Sequence, residues 1–200
     1  MYSFDPTSYG PTIAALAVRS TPCELGPGRR QSEVESKLNE LTDSSLFAGK
    51  QVVDRDMARC CHSALWLLHD FLDESHTISQ EIHTQTGSYW HGIMHRREPD
   101  FGNAKYWFRQ VGKHPIFERL VEAARAVGGA NNSQKPSRHT GELGSLVNAK
   151  EWDPFLFVDL CKSALAGEAK LEPVCRAIAQ FEWQILFDYC YVKAVGIAAR

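Results

Sequence analysis

The sequence predicts an all-α fold, and three observations carry that reading. Apolar residues recur three and four positions apart over most of the chain, which is the spacing of one helix face. Capping residues and first-turn prolines precede those stretches and glycines follow them, as with Asp153-Pro154 ahead of one and Gly167 behind it. No stretch of useful length alternates apolar and polar residues as a half-buried strand does. A chain of 200 residues suits one domain. The expectation is therefore a single-domain irregular helical array of about seven to nine helices, and without a repeat of fixed length it is no solenoid.

Residues 1–30 read as an irregular segment with one short helix, opened by Pro11 and ending near Val18. Ser20 to Arg30, with two prolines and two glycines, reads as a loop. Ser32 and Glu35 have capping-box spacing and open a helix through Leu41. Asp43 to Gly49 reads as a break. A long helix is expected from Asp54 to about Leu72, with Met57, Cys61, Leu65 and Leu68 on one face. Asp73 to Ser75 reads as a polar interruption, with Ser75 capping a short helix to about Thr84. The next helix spans Ser88–Glu98 and stops at Pro99, because the residue before a proline is pushed out of the α region. Asp100 caps Phe101–Val111, Gly112 ends it, and Pro115 opens Ile116–Val127. His114 reads as capping structure. Residues 128–150 read as an exposed loop. Asp153-Pro154 starts a helix to Ala166, and the last runs from about Leu171 into the Val195 region.

Composition excludes several function classes. The net charge is −2 and no basic block occurs, so a nucleic-acid surface has no electrostatic basis. The longest apolar run, around Ala64 to Leu68, is far too short for a bilayer. The N-terminus lacks a basic segment followed by an apolar one, so no signal peptide is read and the expected compartment is the cytoplasm. The six cysteines form no C-x-x-C pair, and five lie in apolar helical patterns, which suits buried free thiols. A thiol nucleophile or redox sensor at Cys60 or Cys61 is the weakest functional reading, since nothing orients it.

The chemistry concentrates in Tyr89–Phe117, which holds three of the eight histidines and two of the five tryptophans. His91 and His95 stand four apart, so both imidazoles fall on one helix face within reach of one ion. Glu98 shares that face. His91, His95 and Glu98 are thus candidate ligands for a divalent metal such as zinc, or acid/base groups. The spacing lacks the adjacent Glu of H-E-x-x-H, and the alternative is a polar seam in which the histidines are hydrogen-bonded. Histidines also recur at 62, 69, 76 and 83. Of these, His69 and His76, with Asp70 and Asp73, are placed to face the His91 helix, and His76 is the candidate general base. Arg96, Arg97, Asn103 and Arg109, among Trp90, Tyr106 and Trp107, could hold an anionic or sugar-like ligand. The alternative for this set is a buried polar network under helix corners.

The block W-H-x-x-x-H-R-R-E-x-D-x-x-N-A-x-Y-W-x-R-x-V-G-x-H-P, Trp90 to Pro115, resembles one in an uncharacterised helical protein family of bacteria and fungi. The pieces Phe71–His76 with Gln80, and Glu182-Trp183 with Leu186–Cys190, are similar too. The resemblance implies helical kinship over roughly residues 60 to 190 and no activity. Two functions are expected on the residues themselves. One is a small-molecule enzyme or binding domain, with metal-assisted hydrolysis as its chemistry and neither nucleic acid nor membrane as partner. The other is a non-enzymatic helical module whose His/Arg/Glu block is structural.

Overall fold

The computed structural model describes residues 3–19, 23–129 and 138–197, and every regular element among them is helical. A 3-10 turn, Pro6–Tyr9, precedes α1 (Pro11–Leu16), α2 (Ser32–Asn39), α3 (Asp43–Leu46) and α4 (Arg55–Leu68). Then follow α5 (Leu72–Ser79), α6 (Gln85–Arg97), α7 (Phe101–Val111), α8 (Phe117–Gly129), α9 (Arg138–Val147), α10 (Pro154–Leu165) and α11 (Glu172–Val195). Among the described residues, nine of the eleven α-helices have seven residues or more.

Local signals account for many of these boundaries. The carboxylates of Asp54, Asp100 and Asp153 each accept hydrogen bonds from first-turn N–H groups, which otherwise lack partners. Thr42 and Ser45 cap α3 reciprocally inside what the sequence presents as a break. Gln31, rather than Ser32, precedes α2, and no side chain caps it. The expected Asp54–Leu72 helix is divided: α4 ends at Leu68, His69 to Phe71 turn the chain, and α5 begins at Leu72. Ser75 is therefore a buried residue inside α5, not a cap. Helix α6 starts earlier than expected because Thr84 caps it. Helix α9 occupies part of the span expected as exposed loop, and the rest of that loop's first half lies outside the described residues.

Helices α4 and α11 form the centre of the core, with Cys61, Ala64 and Leu65 of one and Ile178, Ile185 and Leu186 of the other fully buried. Helix α6 lies against α4, α5 and α7, and all of Thr86–Arg97 is buried. Gly92 lets α7 approach, since a Cβ there would stand 3.2 Å from the Phe108 ring. A helix buried on all sides is normally apolar throughout. This one carries His91, His95, Arg96 and Arg97, and buried polar groups need partners.

The two arginines have them. Arg96 forms an ion pair with Glu182 of α11, both side chains at 3% exposure or less, and lies 4.6 Å over the Phe157 ring. Tyr89 donates to the same carboxylate at 3.1 Å. Arg97 pairs with Asp70 and donates to the carbonyls of Gly26 and Pro27, tying the N-terminal loop to α6. No described helix is long and apolar enough to cross a membrane.

Removing one partner of a fully buried pair strands the other charge, which costs about 3–5 kcal/mol. Glu182→Ala is therefore expected to lose that order of stability in urea unfolding, read from the midpoint at constant slope. A loss below about 1 kcal/mol would contradict this role.

Candidate metal centre

The turn between α4 and α5 sets the site. Asp70 has φ +65°, a left-handed conformation that aspartate tolerates better than most residues. Its buried carboxylate takes Arg97 from one side and Arg19, at 3.0 Å, from the other. Gly28 passes so close that a Cβ there would stand 2.6 Å from that carboxyl group. His69 is held by the Leu16 carbonyl on Nε2 at 2.7 Å, which leaves Nδ1 to accept from the Gln31 amide at 2.9 Å. Farther along, Ser63 of α4 meets Ser75 of α5, oxygen to oxygen, at 2.9 Å. These ties bring α5 across α6 and His76 over the face bearing His91 and His95.

The three imidazoles form one cluster. One ligand nitrogen from each of His76, His91 and His95 can be chosen so that all lie within 4.8 Å of one another. Nε2 of His91 and Nε2 of His95 are 3.0 Å apart. The His76 ring meets the other two edge-on, with centroids 4.7 and 5.2 Å away. Two nitrogens on one tetrahedral ion at roughly 2.0–2.1 Å would stand about 3.3 Å apart. The His91–His95 spacing fits such an ion with a shift of a few tenths of an ångström; the three-nitrogen set spans up to 4.8 Å, so His76 must swing inward to complete it.

The groups behind the imidazoles bear on their tautomers. Nδ1 of His95 is 3.3 Å from a Glu98 carboxylate oxygen, a contact whose alignment falls short of a full hydrogen bond. Nδ1 of His91 is buried without a well-formed hydrogen bond, and the nearby Ser79 backbone favours protonation of that ring. Protonation at Nδ1 in both rings, assigned from these neighbours, turns two Nε2 lone pairs toward each other. Lone pairs 3.0 Å apart repel unless a cation or a proton lies between them. Burial, reinforced by His95 and His76, lowers the His91 pKa to about 3, and burial also lowers that of His95 although Glu98 opposes it. Both rings are thus held neutral, which is the metal-ligating form.

Other residues singled out by the sequence lie variously in and out of this cluster. Trp107 stacks on His91 with centroids 4.0 Å apart, and Tyr106 beside it is half exposed. Glu98 adjoins the cluster through His95. Arg96 and Arg97 point away from it into their ion pairs. Asn103 is exposed and donates to the Asp100 carboxylate at 2.7 Å, completing the α7 cap. Arg109 is exposed on a separate groove shared with Lys113 and Phe155. His62 pairs with Asp43, and His83 is exposed. His114 is buried, with Nε2 3.1 Å from Thr86 Oγ1 and Nδ1 accepting from the Ile116 N–H. All six cysteines are buried and free. Contact with Cys190 and burial push the Cys60 thiol well above its usual range, and burial does the same to Cys61, so neither is an activated nucleophile. The Ser79 backbone was not legible as a partner, because only tertiary packing brings it to His91.

No protein-family model, curated protein or solved structure matches the chain. Function accordingly rests on geometry.

The lowered histidine pKa values fix the sign of an acid effect. Between the usual 6.5 and about 3 the unfolded chain binds a proton at His91 that the folded chain does not. His114, lowered to about 4 by burial, and His69, lowered first by burial, act the same way. In chelator-treated protein, stability is expected to be level between about pH 7 and 8 and to fall as pH drops below about 6.5, before carboxylates titrate. Chemical unfolding at stepped pH checks this; level stability down to pH 5 would contradict it.

Proposed function

We propose that the protein binds one divalent ion of the zinc class through His76, His91 and His95 and acts on a small molecule beside it, with hydrolysis as the reaction class. The observation that carries this reading is the 3.0 Å approach of two neutral Nε2 atoms with a third imidazole over them. Nitrogen donors favour zinc and its transition-metal neighbours over magnesium or calcium, which take oxygen. Three protein ligands leave a coordination position for substrate, the pattern of catalytic rather than structural zinc sites. Such an ion supplies Lewis acidity. In this arrangement His76 is a ligand. Glu98, half-buried at the edge of the cluster, orients His95 and is the carboxylate nearest the site that can take a proton.

A structural reading has its own support. A spacing of 3.0 Å also suits an N–H···N bond between His91 and His95, and the surrounding block is buried. In that case His76 adds only an edge contact.

Zinc titration by calorimetry separates the two. The chelator-treated protein is expected to bind one ion per chain. His76→Ala, His91→Ala and His95→Ala are each expected to abolish that binding while helical circular dichroism persists. Glu98→Gln is expected to weaken it roughly 10–100-fold, the usual effect of losing a carboxylate behind a ligating histidine. Absence of saturable binding in the folded wild-type chain would favour the structural reading.

A further inference from the structure

Of the three arginines expected to hold an anion, Arg96 and Arg97 are spent on buried carboxylates. Arg109 is exposed, and among the described residues its side chain makes no ion pair or hydrogen bond. It lines a groove of about 780 Å3 between the end of α7, the start of α8 and the start of α10. A volume of this order suits a small molecule.

Two helix ends and a set of aromatic rings build this groove. Helix α7 buries Ala104, Phe108 and Val111, so Arg109, about 100° on from Phe108, emerges at the edge of that face. Gly112 ends α7 at φ +59° and ψ −128°, a conformation that residues with side chains rarely adopt, and the chain turns into Lys113. Opposite, Asp153 caps α10 and Pro154 begins it. Phe108 and Trp152 are buried beneath the groove, and Phe117 and Phe155, both half-buried, line it as well.

The charge on the lining is one-sided. Lys150, like Arg109, is exposed and has no ion pair or hydrogen bond from its side chain among the described residues. Lys113 comes only within 3.8 Å of Glu151, and both side chains are so exposed that the pair contributes little. The Asp153 carboxylate is occupied by the Phe155 and Leu156 N–H groups at 2.9 and 3.0 Å. Arg109, Lys113 and Lys150 thus outnumber the acids of the groove, in a chain whose net charge is −2. Solvated cations alone designate nothing. Here two of them lack any counter-charge and share one concave surface with partly open aromatic rings.

We propose that this groove binds a small aromatic carboxylate, with its ring against Phe117 and Phe155 and its carboxylate at Arg109. A guanidinium meets a carboxylate through two parallel N–H···O bonds, and Lys113 and Lys150 add positive field. The proposal is independent of the metal reading, since no histidine lines the groove.

The test titrates naphthoate into the isotope-labelled full chain without added metal, following backbone amide shifts. Naphthoate is expected to shift Gly112, Lys113 and Phe155 saturably and to weaken with added salt. Naphthylmethanol keeps the ring without the charge, and cyclohexanecarboxylate keeps the charge without the aromatic ring. Each is expected to bind roughly fivefold or more weakly. Arg109→Gln with Lys150→Gln removes two exposed side chains that hold nothing else. That variant is expected to keep the wild-type unfolding midpoint and to weaken naphthoate roughly fivefold to tenfold. A neutral or non-aromatic probe that binds as tightly as naphthoate overturns the proposal. So does unchanged affinity in the double variant, or naphthoate that gives no saturable shift at these positions.

Discussion

The two ion pairs made by consecutive arginines at the end of α6 constrain the rest of the structure. Arg96 reaches Glu182 in the middle of α11, and Arg97 reaches Asp70 in the turn between α4 and α5. Both pairs are buried, so each guanidinium must meet its carboxylate or remain a stranded charge. Together they fix the rotation of α6 about its axis and the path of the chain entering α5. The orientation of the histidine face follows from that rotation. The position of His76 follows from that path.

The polar block is divided along the helix: its arginines are engaged in buried ion pairs, and its histidines form a separate cluster with His76. Successive residues on an α-helix point about 100° apart, so His95, Arg96 and Arg97 cannot share a face. The arginines turn to the core as frame. His91 and His95, four apart, turn together toward α5. Trp107, on α7, whose close approach Gly92 permits at Phe108, stacks on the His91 ring. The Glu98 carboxylate, three residues beyond His95, lies behind the ring's Nδ1, on the side away from the close Nε2 contact.

Much of this was legible from local pattern. The helical class, the aspartate caps at 100 and 153 and the shared face of His91 and His95 depend on residues within a turn of one another. The division of α4 from α5 was not, because Leu67, Leu68, Phe71 and Leu72 continue a helical apolar pattern through it. Asp70 adopts its left-handed conformation there under the hold of Arg19 and Arg97, which come from distant parts of the chain. Helix α9 was hidden by glycine and polar composition. The fate of Arg96 did leave a trace, since Glu182 sits within the apolar stripe of α11, where an acidic residue needs a cation. Only the tertiary arrangement brings His76 over His91 and His95.

The proposed site requires α6 to present, together with His76, a three-nitrogen ligand set. X-ray absorption at the zinc edge of the loaded chain tests it most directly. The expected result is a shell containing three imidazole nitrogens at about 2.0–2.1 Å with one further light atom, losing one imidazole in His76→Ala. A shell dominated by oxygen, or one unaltered by replacement of His91, would contradict it.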